Sequence, residues 1–427
     1  MGIYDELLGK VKIPKFVKVH CEIVQSHIED PYGETRRVFD ESRAALAICP
    51  GSSVCIACGS REISNLKDIV KAIVEKVKEA GGQPFLIPAM GSHGGATAEG
   101  QKEILLTYGL TPEYVGAEIR SSMDTVKIGQ TENGLDVRID KNAAEADVII
   151  LAARIKPHTD FRGPIESGIM KMITIGMGKQ YGASICHSMG FPMMAENVRS
   201  IARTVIQNRP AVIGVGILEN GLHETYKIVA LKGKEIDEKE PGLLEEAKSL
   251  MPKLPFEKCD VLFVDEIGKN ISGPGMDPNI TGRSVFMGQW EPNFDGVAVF
   301  DLTDESHHNG NGIGNADVTT QRFFNKFDQE TTYANSITCM DAPGVKLPAI
   351  MPNDRLAMKF ALNLGYKADP QAGPKVVWLH NTLCMHSYWI SEALIPLAEK
   401  ATNMTIVTEP QEVRFDTEGN VIPLDWK

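Results

Sequence analysis

Three histidines stand in glycine-, proline- or serine-rich loops that follow apolar runs: His93 in Gly91-Ser92-His93-Gly94, His158 in Lys156-Pro157-His158-Thr159-Asp160, and His187 in Cys186-His187-Ser188. Imidazole moves protons near neutral pH and is the commonest transition-metal ligand, so both uses are open. Lys171 sits in Ile169-Met170-Lys171-Met172-Ile173. Such an amine either snorkels to the surface or stays partly buried, where a lowered pKa suits covalent attachment to a cofactor. Arg61 follows an apolar run and Gly59-Ser60, a setting in which a guanidinium can clamp a carboxylate through two hydrogen bonds. Arg162 and Lys156 compete for that role. Gly91, Ser92 and Gly94 lie between a strand pattern and a helix pattern, where backbone N–H groups can face a phosphate.

The elements that must position these groups alternate. Val54–Cys58 reads as a buried strand, Leu66 to Ala80 as an amphipathic helix, and Pro84–Pro88 as the strand leading to His93. Thr97 is placed to cap the next helix. Asp147–Ala152 is the strand leading to His158, Ala195 to Gln207 a helix, and Ala211–Gly216 a further strand. This βαβα order predicts a mostly parallel sheet, with ligands at the strands' carboxyl ends. The Lys/Glu-rich segment from Lys232 to Lys258 reads as a peripheral helix and linker. Beyond it Cys259–Val264, Val297–Phe300, Ser336–Thr338 and Val376–Leu379 read as strands, and Arg355 to Leu364 and Ser391 to Ala401 as helices. The expectation is two α/β domains, 1–255 and 256–427, with the active site in the cleft between them.

The 427 residues carry a net charge of −12 and no basic cluster, so neither nucleic acid nor an anionic membrane surface is an expected partner. An anionic substrate would have to be held by locally placed Arg or Lys. No signal peptide or membrane-spanning run is apparent, and a cytoplasmic protein with reduced thiols is expected. Cys55-Ile56-Ala57-Cys58 matches C-x-x-C, but the run reads first as a small-residue buried strand. Gly176-Met177-Gly178 and Gly310-Asn311-Gly312 lack dinucleotide-loop spacing. His307-His308 belong to a polar loop.

In order and spacing Gly91-Ser92-His93, Lys156-Pro157-His158, Lys171 and His187 resemble the active-site series of the nickel-dependent lactate racemase family, and Arg61 falls where that family has a substrate-binding arginine. The resemblance implies a nickel pincer nucleotide, the nickel complex of pyridinium-3,5-bisthiocarboxylic acid mononucleotide, made by dedicated cofactor-synthesis enzymes. It further implies that Lys171 anchors the cofactor, His187 ligates the metal, and His93 and His158 are the acid/base pair. The activity implied is racemisation or epimerisation at C2 of a 2-hydroxy acid, lactate-like or a sugar acid. The chain departs from the family at Ser167-Gly168-Ile169-Met170 and at Cys58, which bears on the identity of that acid. Two other readings stay open: a zinc-type hydrolase with His93, His158 and His187 as ligands, and a non-catalytic nucleotide- or metal-binding protein.

Overall fold

The computed structural model describes residues 2–59, 63–188, 190–209, 211–286, 288–289, 291–339, 341–365 and 373–426. It divides into two units, Val24–Met251 on one hand, and Met1–Ile23 with Pro252–Lys427 on the other. The division at Met251/Pro252 lies close to the expected boundary at 255. The first 23 residues differ from the expected arrangement, since the strand Phe16–Cys21 pairs antiparallel with Ser387–Ser391 and Met404–Ile406 of the second unit.

In the unit Val24–Met251 six strands form one sheet in the order Glu118–Ile119, Gln83–Pro88, Ser53–Cys58, Val148–Arg154, Val212–Glu219, Thr225–Lys232. All but the last run parallel. The central strands are buried on both faces, which explains their near-continuous apolar runs. Successive strand side chains alternate in direction. Cys55 accordingly joins the core on one face of the sheet and Cys58 the core on the other, so the C-x-x-C run is a buried strand. The helix Leu66–Glu79 covers one face with Leu66, Ile69, Val70, Ile73 and Val77.

Asn65 precedes this helix at φ 58° without a side-chain cap, whereas Thr97 does cap Ala98–Thr107 by accepting the Gly100 N–H at 3.1 Å. The segment expected as a peripheral helix and linker is a helix, Glu235–Leu250, but not a peripheral one, since it buries Ile236, Leu244, Ala247 and Leu250 in the same core. Most of its charged residues cover the outer face, and Glu240 is buried on the inner one.

The second unit has an eight-stranded sheet in the order Ala349–Met351, Val318–Thr320, Asn293–Leu302, Lys258–Ile267, Val376–Leu379, Ser387–Ser391, Phe16–Cys21, Met404–Ile406. The first five are parallel and the remainder antiparallel. Two sequence readings change here. Ser336–Thr338 is helical, inside Gln329–Cys339, and Ile337 is exposed, so β-branched content misled where the buried side carries Thr332 and Ser336 rather than apolar residues. Ser391 ends a strand and is followed only by short helical turns to Ala398. His307 and His308 lie on a loop at positive φ, with the carbonyl of Lys326 2.9 Å from His308 Nδ1. Both units are thus α/β with mostly parallel sheets. Among the described residues no helix is long and apolar enough to cross a membrane.

Candidate active site

Where the parallel strands Gln83–Pro88, Ser53–Cys58 and Val148–Arg154 end, a cavity of about 200 Å³ opens. Its wall takes Ala89, Met90 and His93 from beyond the first strand, Gly59 from beyond the second, and Ala153, Arg154 and Lys156 from the third. Gly168, Lys171, Met172 and Ile175 close the other side. This is the carboxyl end of a parallel sheet, where converging loops leave room for a ligand. His93 and Lys171 therefore share one cavity, and Lys156 joins them.

The His93 loop is held from beneath. Gln101 is fully buried and donates from Nε2 to the carbonyls of Gly91 and His93 at 2.9 and 3.1 Å. Its Oε1 accepts from Lys179 Nζ at 3.1 Å, and Lys179, itself buried, also donates to the Pro88 carbonyl and pairs with Asp140 at 3.1 Å. Burial pulls the Lys179 amine down, and Asp140 opposes that pull. Gly91 donates its N–H to the Gly176 carbonyl at 3.2 Å, and at φ 58° a Cβ there would press on Ile175. Gly94 is equally constrained, since a Cβ would lie 2.7 Å from the Gln101 nitrogen. Gly91 and Gly94 thus shape the loop on either side of Ser92, and the amides of Gly91 and His93 are engaged within the protein.

The His158 segment is a loop closed on itself by two backbone hydrogen bonds between Lys156 and Ser167. At its centre the buried carboxylate of Glu166 accepts the His158 N–H at 2.7 Å and pairs with Arg162 and Lys248. Arg162 also donates to the His158 carbonyl, so its guanidinium serves the loop rather than the cavity. The imidazole packs on Phe161 with ring centroids 4.2 Å apart. Its Nε2 lies 2.6 Å from Lys171 Nζ, and its Nδ1 accepts the Asp160 N–H at 3.0 Å.

Lys171 ends a one-turn helix, Ile169–Lys171, that continues into a wider turn, Met172–Gly176. The start of this helix is held by Glu240, whose Oε2 accepts the Met170 N–H at 3.0 Å. Burial pushes the Glu240 carboxyl up to about 8, against the pull of the Met170 and Ile169 amides. A Cβ at Gly168 would collide with Glu240 Oε1, so a side chain there would displace the carboxyl group. Farther on, Lys171 lies close enough to bear on the Cys186 thiol, which burial raises to about 12. The helix Lys179–Ser188 thereby passes near Lys171, although the side chain of His187 lies outside the described residues. Arg61 lies outside them as well.

Sequence reasoning missed Arg154, Glu240, Glu166 and Gln101. Arg154 is the last residue of its strand and carried a readable signal, a charge at the end of an apolar run. Glu240 carried none, being one of many acids in a polar segment. Among the described residues no group of three His, Cys, Asp or Glu is placed to hold a metal by itself.

Residues 12–198 match the lactate racemase N-terminal domain. No curated protein matches the chain. Among solved structures, the lactate racemase apoprotein from Thermoanaerobacterium thermosaccharolyticum is 15% identical with a TM-score of 0.41, over 66% of this chain and 69% of that one. A protein from Thermotoga maritima is 11% identical with a TM-score of 0.50, over 83% and 97%, a likeness of fold.

Proposed function

We propose, on the premise that residues 12–198 form a domain of the lactate racemase N-terminal family, that this protein is an isomerase inverting C2 of a 2-hydroxy acid. The observation that carries the reading is the shared cavity, with His93 and Lys171 in its wall and His158 hydrogen-bonded to Lys171.

The residues present suit a nickel pincer nucleotide. A metal bound by such a cofactor draws most of its donors from the cofactor itself, so a cluster of three protein ligands is not required, and none is formed by the described residues. A primary amine opening on the cavity is the group needed for a covalent tether. Lys171 would hold the cofactor and His187 would supply a protein ligand to its metal. When bound, that cofactor supplies the electron-poor centre that takes and returns a hydride.

The remaining work falls to the chain. Inverting a secondary alcohol requires the hydroxyl proton to leave and return for either enantiomer, which one base cannot do equally well from one side. His93 and His158 come from loops on different strands, and each would serve one enantiomer as base and the other as acid. The apolar wall of Ala89, Met90, Met172 and Ile175 limits water around the planar keto acid formed between the two half-reactions. Arg61 would hold the substrate carboxylate.

The test is to produce the protein together with the cofactor-synthesis enzymes and to screen 2-hydroxy acids for loss of optical purity, in H₂O and in D₂O. Inversion with little deuterium at C2 supports hydride transfer. Extensive wash-in during the first turnovers points to proton abstraction instead, and failure to invert any 2-hydroxy acid overturns the reading.

A further inference from the structure

Among the described residues lining the cavity the basic side chains are Arg154, Lys156 and Lys171, with no carboxylate in that lining, in a chain whose net charge is −12. Arg154 and Lys156 are two residues apart along extended chain, a spacing that sends both side chains to the same side. Arg154 is anchored from behind. Its Nη1 donates to Glu219 Oε2 at 2.5 Å, and the other oxygen of Glu219 accepts the Ser64 N–H at 2.9 Å. With both oxygens engaged and its side chain 7% exposed, Glu219 is a fixed support.

A guanidinium offers five N–H donors in a rigid plane. Nη1 is the Arg154 nitrogen that has a partner among the described residues, and the side chain remains 18% exposed where it meets the cavity. A salt bridge serving only to join neighbouring strands would not need its cation in a ligand-sized cavity beside two lysines.

We propose that Arg154, oriented by Glu219, is an anion-binding residue of this cavity and receives a carboxylate or phosphate group of the bound molecule. The planar fork fits either group through two parallel hydrogen bonds. Lys156 adds charge from the same side. This inference rests on the cavity being the ligand site of the proposed isomerase, but not on any turnover.

The experiment is isothermal titration of the full-length protein, purified without cofactor, with inorganic phosphate, malonate and lactate in turn at low ionic strength. Saturable binding of one anion per chain is expected. Arg154→Gln should weaken it by about 10-fold or more, and Arg154→Lys by less, because an ammonium keeps the charge but loses the fork. Glu219→Gln should fall between wild type and Arg154→Gln, since the guanidinium loses its orientation but not its charge. Tighter binding of phosphate assigns the subsite to a nucleotide phosphate, and tighter binding of the carboxylates to the substrate's acid group; both support the inference.

Absence of saturable binding to wild type, or equal affinity in Arg154→Gln and wild type, overturns it. Should Arg154→Gln not fold, Arg154→Lys and Glu219→Gln carry the comparison, and wild-type affinity in both is the contrary result. A protein that binds anions through Arg154 yet inverts no hydroxy acid would keep this inference and lose the functional reading.

Discussion

His158 Nε2 lies 2.6 Å from Lys171 Nζ while the Asp160 backbone N–H donates to His158 Nδ1 at 3.0 Å. A nitrogen that accepts an amide hydrogen carries none of its own, so the neutral imidazole bears its proton on Nε2. That proton points at Lys171. An ammonium has no lone pair to receive it, and an amine that does accept it is in its nucleophilic form. We predict that, in protein made without cofactor, an acylating reagent at pH 7 modifies Lys171 at least about 10-fold faster than surface lysines. His158→Ala should return it to the ordinary rate. Peptide mass spectrometry of a labelling time course measures this, and a Lys171 no more reactive than its neighbours would remove the proton assignment.

Glu240 makes the Lys171 helix sensitive to pH. Its folded carboxyl is raised to about 8 by burial, so between the ordinary carboxyl range near 4.5 and pH 8 the folded protein holds a proton that the unfolded chain releases. Stability from this group is therefore present at low pH and falls as pH rises through that window. Glu240→Gln cannot ionise and should flatten the fall, gaining at least about 1 kcal/mol on wild type between pH 5 and pH 8.5. Denaturant titrations at the two pH values check it. In Glu240→Ala the amides at the start of Ile169–Lys171 should exchange faster, and unaltered exchange there would contradict the capping role.

The pair Lys179–Asp140 is buried, and breaking one side strands the other. Lys179→Met should destabilise the protein by about 3–5 kcal/mol, because Asp140 is left as an uncompensated buried charge. The double change Lys179→Met with Asp140→Asn should recover a substantial part of that loss. Thermal or denaturant unfolding decides, and a double variant no better than the single one would mean that the hydrogen bonds to Pro88 and Gln101 outweigh the charge pair.

In the second unit His380 lies 3.5 Å from Asp265 and 3.3 Å from Glu266, and the two carboxylates raise its imidazole to about 9. A raised histidine stabilises fully below its unfolded value near 6.5, and that contribution is lost as pH climbs through about 9. With the side chain about one-third exposed, solvent screening reduces the effect to roughly 1–2 kcal/mol. His380→Gln should thus cost stability at pH 6 and cost much less at pH 10. An equal penalty at both values would show that the ring acts through packing on Trp426 instead.

Much of the architecture can be read locally. Apolar runs and their turn residues mark the central strands, and the 3.6-residue pattern marks Leu66–Glu79 and Met194–Asn208, because burial on a sheet or against a helix stripe leaves a short-range imprint. Loops placed just past strands marked out His93, His158 and Lys156 as well. Where burial left no such imprint, as in Gln329–Cys339 with its exposed Ile337, the reading failed. What supports the site could not be read this way. Met170 and Glu240 are 70 residues apart, Arg154 and Glu219 65, and Lys179 and Gln101 78. A parallel sheet sends the chain through a crossover before the next strand, so residues adjacent at its carboxyl end are remote in sequence. The sequence by itself determined which residue types could do chemistry and which strand each would follow. Only the tertiary structure decided that Arg162 is consumed by Glu166, that Arg154 faces the cavity, and that a glutamate in an outwardly polar helix holds the turn carrying Lys171.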